Sequence, residues 1–171
     1  MVVVFIQMVP EDMQFFPDKS SLLAKVICDE LVPLIDRSYK TEALPSRRAI
    51  TGISVFGNLA YTTAFTRPDI FSMAAGQSAT ITKGLMELVG RVGENRRALR
   101  PSRVYVDVGN YDLAGGALDN HSFLKANELL VREIERRNID HLFRAHNDGH
   151  AWANRRERTD AILCYFFPPK E

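Results

Sequence analysis

Short apolar runs of strand length alternate with helix-spaced segments along this chain. That alternation restricts it to an α/β layer fold built on a parallel sheet. The runs are VVVFI (2–6), RAITGIS (48–54), IFSMAAGQSA (70–79), RVYVDVG (103–109) and HLFRAH (141–146). The first, VVVFI, is a continuous apolar run rich in β-branched residues and reads as a buried strand.

Between them lie the helices. Ser20 or Ser21 is placed to cap a helix reaching about Tyr39, with Leu22, Leu23, Val26, Ile27, Leu31, Leu34 and Ile35 on one face. Pro33 should kink it near its end. Further helices are expected over 58–67, within 81–100, over 122–138 and over 151–167. Residues 7–20, with Pro10, Pro17, Phe15 and Phe16, read as a loop whose two aromatic rings either contact substrate or, the preferred reading, pack within the loop. No repeat or low-complexity linker interrupts the pattern, so residues 1–171 read as one domain.

Composition narrows the function. A formal charge of +1 on 171 residues calls for neither nucleic acid nor an anionic membrane. The one basic stretch, RVGENRRALRPSR, sets five arginines against Glu94 and reads as a solvated helix face and loop. MVVVFIQMVP is too short to span a bilayer and lacks the basic start and small-residue cleavage site of a signal peptide. The chain therefore reads as soluble, and cytoplasmic if Met1 is the true start. Cys28 and Cys164 fall in separate expected helices without CxxC partners, and read as buried free thiols.

In a parallel sheet, chemistry collects in the loops after the carboxyl ends of strands. Ser54 follows the second run, Asp112 the fourth, in VDVGNYD, and His150 the fifth, in HNDGHAW. A serine hydroxyl is a weak nucleophile at neutral pH. It needs an imidazole to take its proton and a carboxylate to hold that imidazole in the right tautomer. The order Ser, Asp, His is the α/β-hydrolase order. The turn at Ser54 would also aim the Val55 backbone N–H, at a helix start, toward a developing oxyanion.

Each of these residues has a plainer reading. Gly52-Ile53-Ser54-Val55-Phe56-Gly57 is a degenerate elbow, and alone Ser54 reads as a turn serine. Asp107 competes with Asp112 for the acid role; Asp112 is preferred because it lies beyond the strand end. Asp148 reads as a loop-capping residue. His141, His146, Asp148 and His150 suggest a metal site, but positions 141 and 146 face opposite sides of a strand, so no metal is expected. Trp152 is either a wall of the acyl or leaving-group pocket or a core anchor of its helix.

The motifs together resemble the esterase family of α/β-hydrolases that includes esterase D, enterochelin esterases and feruloyl or acetylxylan esterases. AITGISVFGNLAYTTAFTRPDIFSMAAGQSA is similar to that family's elbow, following helix and strand end, and VYVDVGNYD to its acid-bearing strand and loop. DGHAWANRRERTDAILCYFF is similar to its ending, and ELVPLIDRSYKT to the helix before the elbow. The resemblance implies a three-layer, mostly parallel α/β-hydrolase sheet, incomplete on its N-terminal side. It also implies nucleophile Ser54, acid Asp112, base His150, a small-molecule ester substrate and no cofactor.

Two departures carry expectations. The family's glycine two positions after the serine is Phe56 here, so that ring should enter the substrate pocket or loosen the turn. The family's earlier strands and oxyanion loop have no counterpart before MVVVFI. Residues 2–6 should then slide beside 48–53, bringing the N–H of Gln7 or Met8 near the oxyanion; a vacancy left open would recruit another chain through the exposed sheet edge, a second copy included, or aggregate. The alternative function is a hydrolase-like domain without catalysis, serving as a binding or assembly module. A peptidase or thioesterase using the same trio is a third.

Overall fold

The computed structural model describes residues 1–7, 20–92 and 100–169. The sheet has four parallel strands in the order β1-β2-β3-β4: Ala49–Ile53, Met73–Gln77, Arg103–Gly109 and Asp140–His146. Parallel neighbours need a crossover, and each is helical. Val55–Thr66 (α3) joins β1 to β2, Lys83–Gly90 (α4) lies between β2 and β3, and Phe123–Arg136 (α5) joins β3 to β4. The register runs Ile53↔Gln77↔Asp107↔Arg144, so the strand ends that carry polar residues align.

Alternation along the strands builds two apolar layers. Ala74, Val104, Val106 and Val108 face a large cluster with α3, α4 and α5, including Leu59, Ala64, Leu85, Leu130 and Ile134. Met73, Ala75 and Tyr105 face the opposite side, where Ile162 and Phe166 of Thr159–Phe166 (α7) cover them. Helices on both faces make three layers, as an α/β-hydrolase sheet requires. The Arg103 guanidinium donates to the carbonyls of Tyr165 and Phe166 at 2.9 and 3.0 Å, closing the last turn of α7 against β3. Helix α5 is the clearest product of periodicity: Phe123, Ala126, Leu130, Val131 and Ile134 are buried, and the Ser122 hydroxyl caps it by accepting from the Lys125 N–H at 3.2 Å.

Several expectations are corrected. Residues 2–6 form no strand, and β1 pairs only with β2 among the described residues. Val3 is 57% and Phe5 92% exposed. A β-branched run becomes a strand only when neighbouring strands take its backbone groups and other layers cover its side chains, and here neither occurs. The placement of Gln7 beside the oxyanion depended on that pairing and falls with it; Met8 lies outside the described residues.

The helix expected over 20–39 is Ser20–Val26 (α1), a π-helical turn at Ile27–Leu31, and Val32–Ser38 (α2). Pro33 has no N–H to donate, and the ladder widens just before it, with the Val32 N–H reaching back to the Ile27 carbonyl. The terminal helix is two helices, Trp152–Arg156 (α6) and Thr159–Phe166 (α7). Cys28 is buried, which pushes its thiol up to about 11, whereas Cys164 is exposed, contrary to the reading as a buried thiol. Phe15, Phe16 and the centre of the basic stretch lie outside the described residues. Among the described residues, no helix is long and apolar enough to cross a membrane.

Candidate active site

Ser54 sits between β1 and α3 with φ 54° and ψ −120°, a conformation that non-glycine residues adopt only when their surroundings impose it. Here the surroundings do. The Ser54 N–H donates to the Gln77 carbonyl at 3.0 Å, and its own carbonyl accepts from Gly57, Asn58 and Thr80 N–H groups at 3.0, 3.3 and 2.9 Å. The turn folds so tightly that a Cβ at Gly52 would stand 2.1 Å from the Phe56 carbonyl oxygen, and one at Gly57 would stand 2.7 Å from Ala79 Cβ. The close approach to the segment that follows β2 is thus made by Gly57 rather than by the residue before it. Phe56 consequently leaves the turn intact, and its ring packs, half-buried, against the large apolar cluster.

Ser54 occupies the N-cap position of α3, yet its side chain caps nothing. Its hydroxyl donates instead to His150 Nε2 at 3.1 Å, and His150 Nδ1–H donates to Asp112 Oδ1 at 2.6 Å. An ionised carboxylate can only accept, so the proton on that side of the ring is on Nδ1 and Nε2 is left as the acceptor. The structure therefore brings together the three residues singled out from the strand-end rule. The Asp112 side chain is only 1% exposed and that of His150 22%. Burial works against the Asp112 charge, but the influence of the Ser78 side chain and hydrogen bonds from the Leu113 N–H and His150 outweigh it and hold the carboxyl below the usual carboxylate range.

Val55 is the first residue of α3, where the N–H groups have no partner within the helix. Trp152 opens α6 two residues after His150 and is 66% exposed, which excludes the core-anchor reading.

Two contributors escaped the sequence reading. Phe123 meets the His150 ring edge-on, with centroids 5.1 Å apart, although its sequence position signals only a buried helix residue. Ser78 is buried with φ 48°. The polar pair Gln77-Ser78 closing an apolar strand was the available signal for it.

Asp107 is excluded from the acid role by alternation. It shares the Tyr105 side of β3, is fully buried, and accepts from Arg158 Nη1 at 3.1 Å and Gln77 Nε2 at 3.3 Å. Burial pushes its carboxyl up to about 6, with Arg158 and Gln77 opposing. A carboxyl raised on folding contributes stability that is full below its unfolded value, about 3.9, and is lost as pH rises through about 6. Asp107→Asn should remove that dependence. The melting temperature of wild type minus that of the variant is expected to fall between pH 4 and pH 7, and thermal melts across that window check it. Among the described residues, no group of three or more His, Cys, Asp and Glu side chains is arranged to hold a metal ion.

A family model described as "Putative esterase" matches residues 16–165. The chain belongs to this esterase family. Protein YjcH of Bacillus subtilis (strain 168) is 24% identical over 136 residues, which is 78% of this chain and 55% of that one. The chain thus spans about half the length of the curated relative it matches. Among solved structures, a ferulic acid esterase superposes with a TM-score of 0.70 at 20% identity, covering 83% of this chain and 59% of the other. The enterobactin esterase FES of Shigella flexneri gives 0.69 at 18% identity, covering 85% and 38%. At these identities the likeness establishes the α/β-hydrolase fold of this family member.

Proposed function

We propose that this esterase-family chain is a serine carboxylic ester hydrolase that works through an acyl-enzyme. The observation that carries the reading is the continuous hydrogen-bond chain Ser54 Oγ–His150 Nε2 and His150 Nδ1–Asp112 Oδ1, at 3.1 and 2.6 Å.

The Ser54 oxygen attacks the ester carbonyl carbon while its proton passes to His150 Nε2. The charge that develops on the carbonyl oxygen is met by the Val55 N–H at the start of α3; one such donor is worth about 3 kcal/mol in comparable sites. As the tetrahedral species collapses, the carbon–oxygen bond to the alcohol breaks and His150 returns the proton to the leaving oxygen. Water then repeats the sequence on the acyl-enzyme, releasing the acid and restoring Ser54. Asp112, held ionised by its hydrogen bonds, steadies the imidazolium in both halves without taking a proton. Trp152, exposed and two residues after His150 in sequence, is the side chain we assign to contact with the acyl or leaving group. The substrate is a small-molecule ester and the co-substrate is water.

A fluorophosphonate probe tests the proposal. It should label the folded protein at one site, and Ser54→Ala should abolish the label. Folded protein that takes no label would instead leave a hydrolase-like domain acting as a binding module.

A further inference from the structure

Behind the site lies a set of charged side chains that the ester chemistry does not use. Asp107, Arg155 and Arg158 are all buried, and Asp148 is partly so. Removing a guanidinium and a carboxylate from water is costly unless both are well paired, so the pairing indicates what the arrangement holds in place. Arg158 lies between α6 and α7, and its two terminal nitrogens diverge. Nη1 donates to Asp107 Oδ1 on β3 at 3.1 Å, and Nη2 donates to Asp148 Oδ2. From β2, Gln77 Nε2 donates to Asp107 Oδ2 at 3.3 Å and to the Arg155 carbonyl at 3.0 Å.

Asp148 lies two residues before His150. Its carbonyl accepts from the Tyr111 N–H at 2.9 Å, and its N–H donates to the His146 carbonyl at 2.8 Å. The same carbonyl lies over Gly109, where a Cβ would be 2.3 Å away. The segment carrying His150 therefore rests directly on the segment carrying Asp112. Arg158 ties it from below to a carboxylate embedded in the sheet.

We propose that Arg158 is a positioning residue for His150, a two-pronged tie that fixes the Asp148-Gly149-His150 turn by joining Asp148 to the immobile Asp107. This rests on the reading of His150 as the base. Near-attack geometry is steep: a displacement of about 1 Å in a catalytic group costs on the order of 10²-fold in rate. Only a planar guanidinium spans two carboxylates at once with a fixed angle between its donors; a lysine ammonium serves as a point charge.

The test uses Arg158→Met, Arg158→Lys and Asp148→Asn in the whole chain, with two readouts. The first is ester hydrolysis. Arg158→Met and Asp148→Asn should lower kcat by about 10²-fold with KM changed by less than about twofold, and Arg158→Lys should recover part of the loss. The second is the far-downfield NMR signal of the His150 Nδ1 proton shared with Asp112, which should broaden or vanish in both disruptive variants while thermal melts show them folded. Asp148→Asn leaves Arg158 paired with Asp107, so it remains informative if Arg158→Met does not fold. A folded variant that has lost the tie but keeps both the proton signal and kcat overturns the proposal. So does a lowered melting temperature with the proton signal unmoved. Since the NMR readout needs no substrate, a wild-type protein that takes no fluorophosphonate label would count against the hydrolase reading alone.

Discussion

Ser54→Ala and His150→Ala are each expected to lower kcat for ester hydrolysis by a factor on the order of 10⁴ to 10⁶, and the double variant by no more than the worse single one. In the proposed mechanism the two groups act in one event. Without His150 the Ser54 hydroxyl loses its hydrogen-bond acceptor among the described residues; without Ser54 the imidazole loses the oxygen it would activate. Independent contributions would instead multiply, so the shape of the double-mutant cycle is as informative as the size of the loss. Residual activity is expected from the Val55 N–H and substrate binding, which neither substitution removes. Steady-state kinetics on the three variants, with melts to verify folding, make the measurement. Multiplicative losses would show that Ser54 and His150 do not work as a pair.

Gly52→Ala is expected to remove the folded state, or to lower its melting temperature by about 10 °C or more, corresponding to about 4 kcal/mol. The added Cβ would lie 2.1 Å from the Phe56 carbonyl oxygen, 2.3 Å from its carbon and 2.8 Å from the Gly57 nitrogen. All three are backbone atoms, so no side-chain rotation relieves the clash. Nor can the turn yield, because Ser54 is tied by its N–H to Gln77 and by its carbonyl to Gly57, Asn58 and Thr80. Typical domains have 5–15 kcal/mol in hand, so one such clash consumes much of the margin. Gly84→Ala is the matched control. Nothing lies within 4 Å of its Cβ position in α4, and it should stabilise by about 0.5–1 kcal/mol. Paired thermal melts separate the steric effect at Gly52 from a general intolerance of alanine for glycine.

The elements legible in the chain were those whose signal is local. RVYVDVG reads as a strand over 103–109 and is one over those residues, because a run buried on both faces carries its own apolar signature. The amphipathic spacing of 122–138 likewise yields α5. Ser54, Asp112 and His150, which lie within hydrogen-bond reach of one another, could be singled out because strand ends can be located from periodicity and because the ends of parallel strands share one rim of the sheet.

Partnership was not legible. VVVFI has the composition of a buried strand, yet it stays exposed, since burial belongs to the neighbours a segment acquires and not to the segment itself. Asp107 and Asp112 are five residues apart and chemically alike. Alternation sends one behind the sheet to Arg158, while the loop carries the other to His150. The break between α6 and α7 has no Pro or Gly to announce it and falls where Arg158 turns toward two distant carboxylates. By itself, then, the order of residues determined the α/β layering, the positions of the strand ends and the three side chains waiting there. The tertiary structure alone decided which carboxylate reaches the imidazole, how a turn with Phe56 in it closes, and what holds the histidine segment in place. Hydrophobic period is a property of neighbours along the chain, whereas a hydrogen-bond partner is a property of neighbours in space.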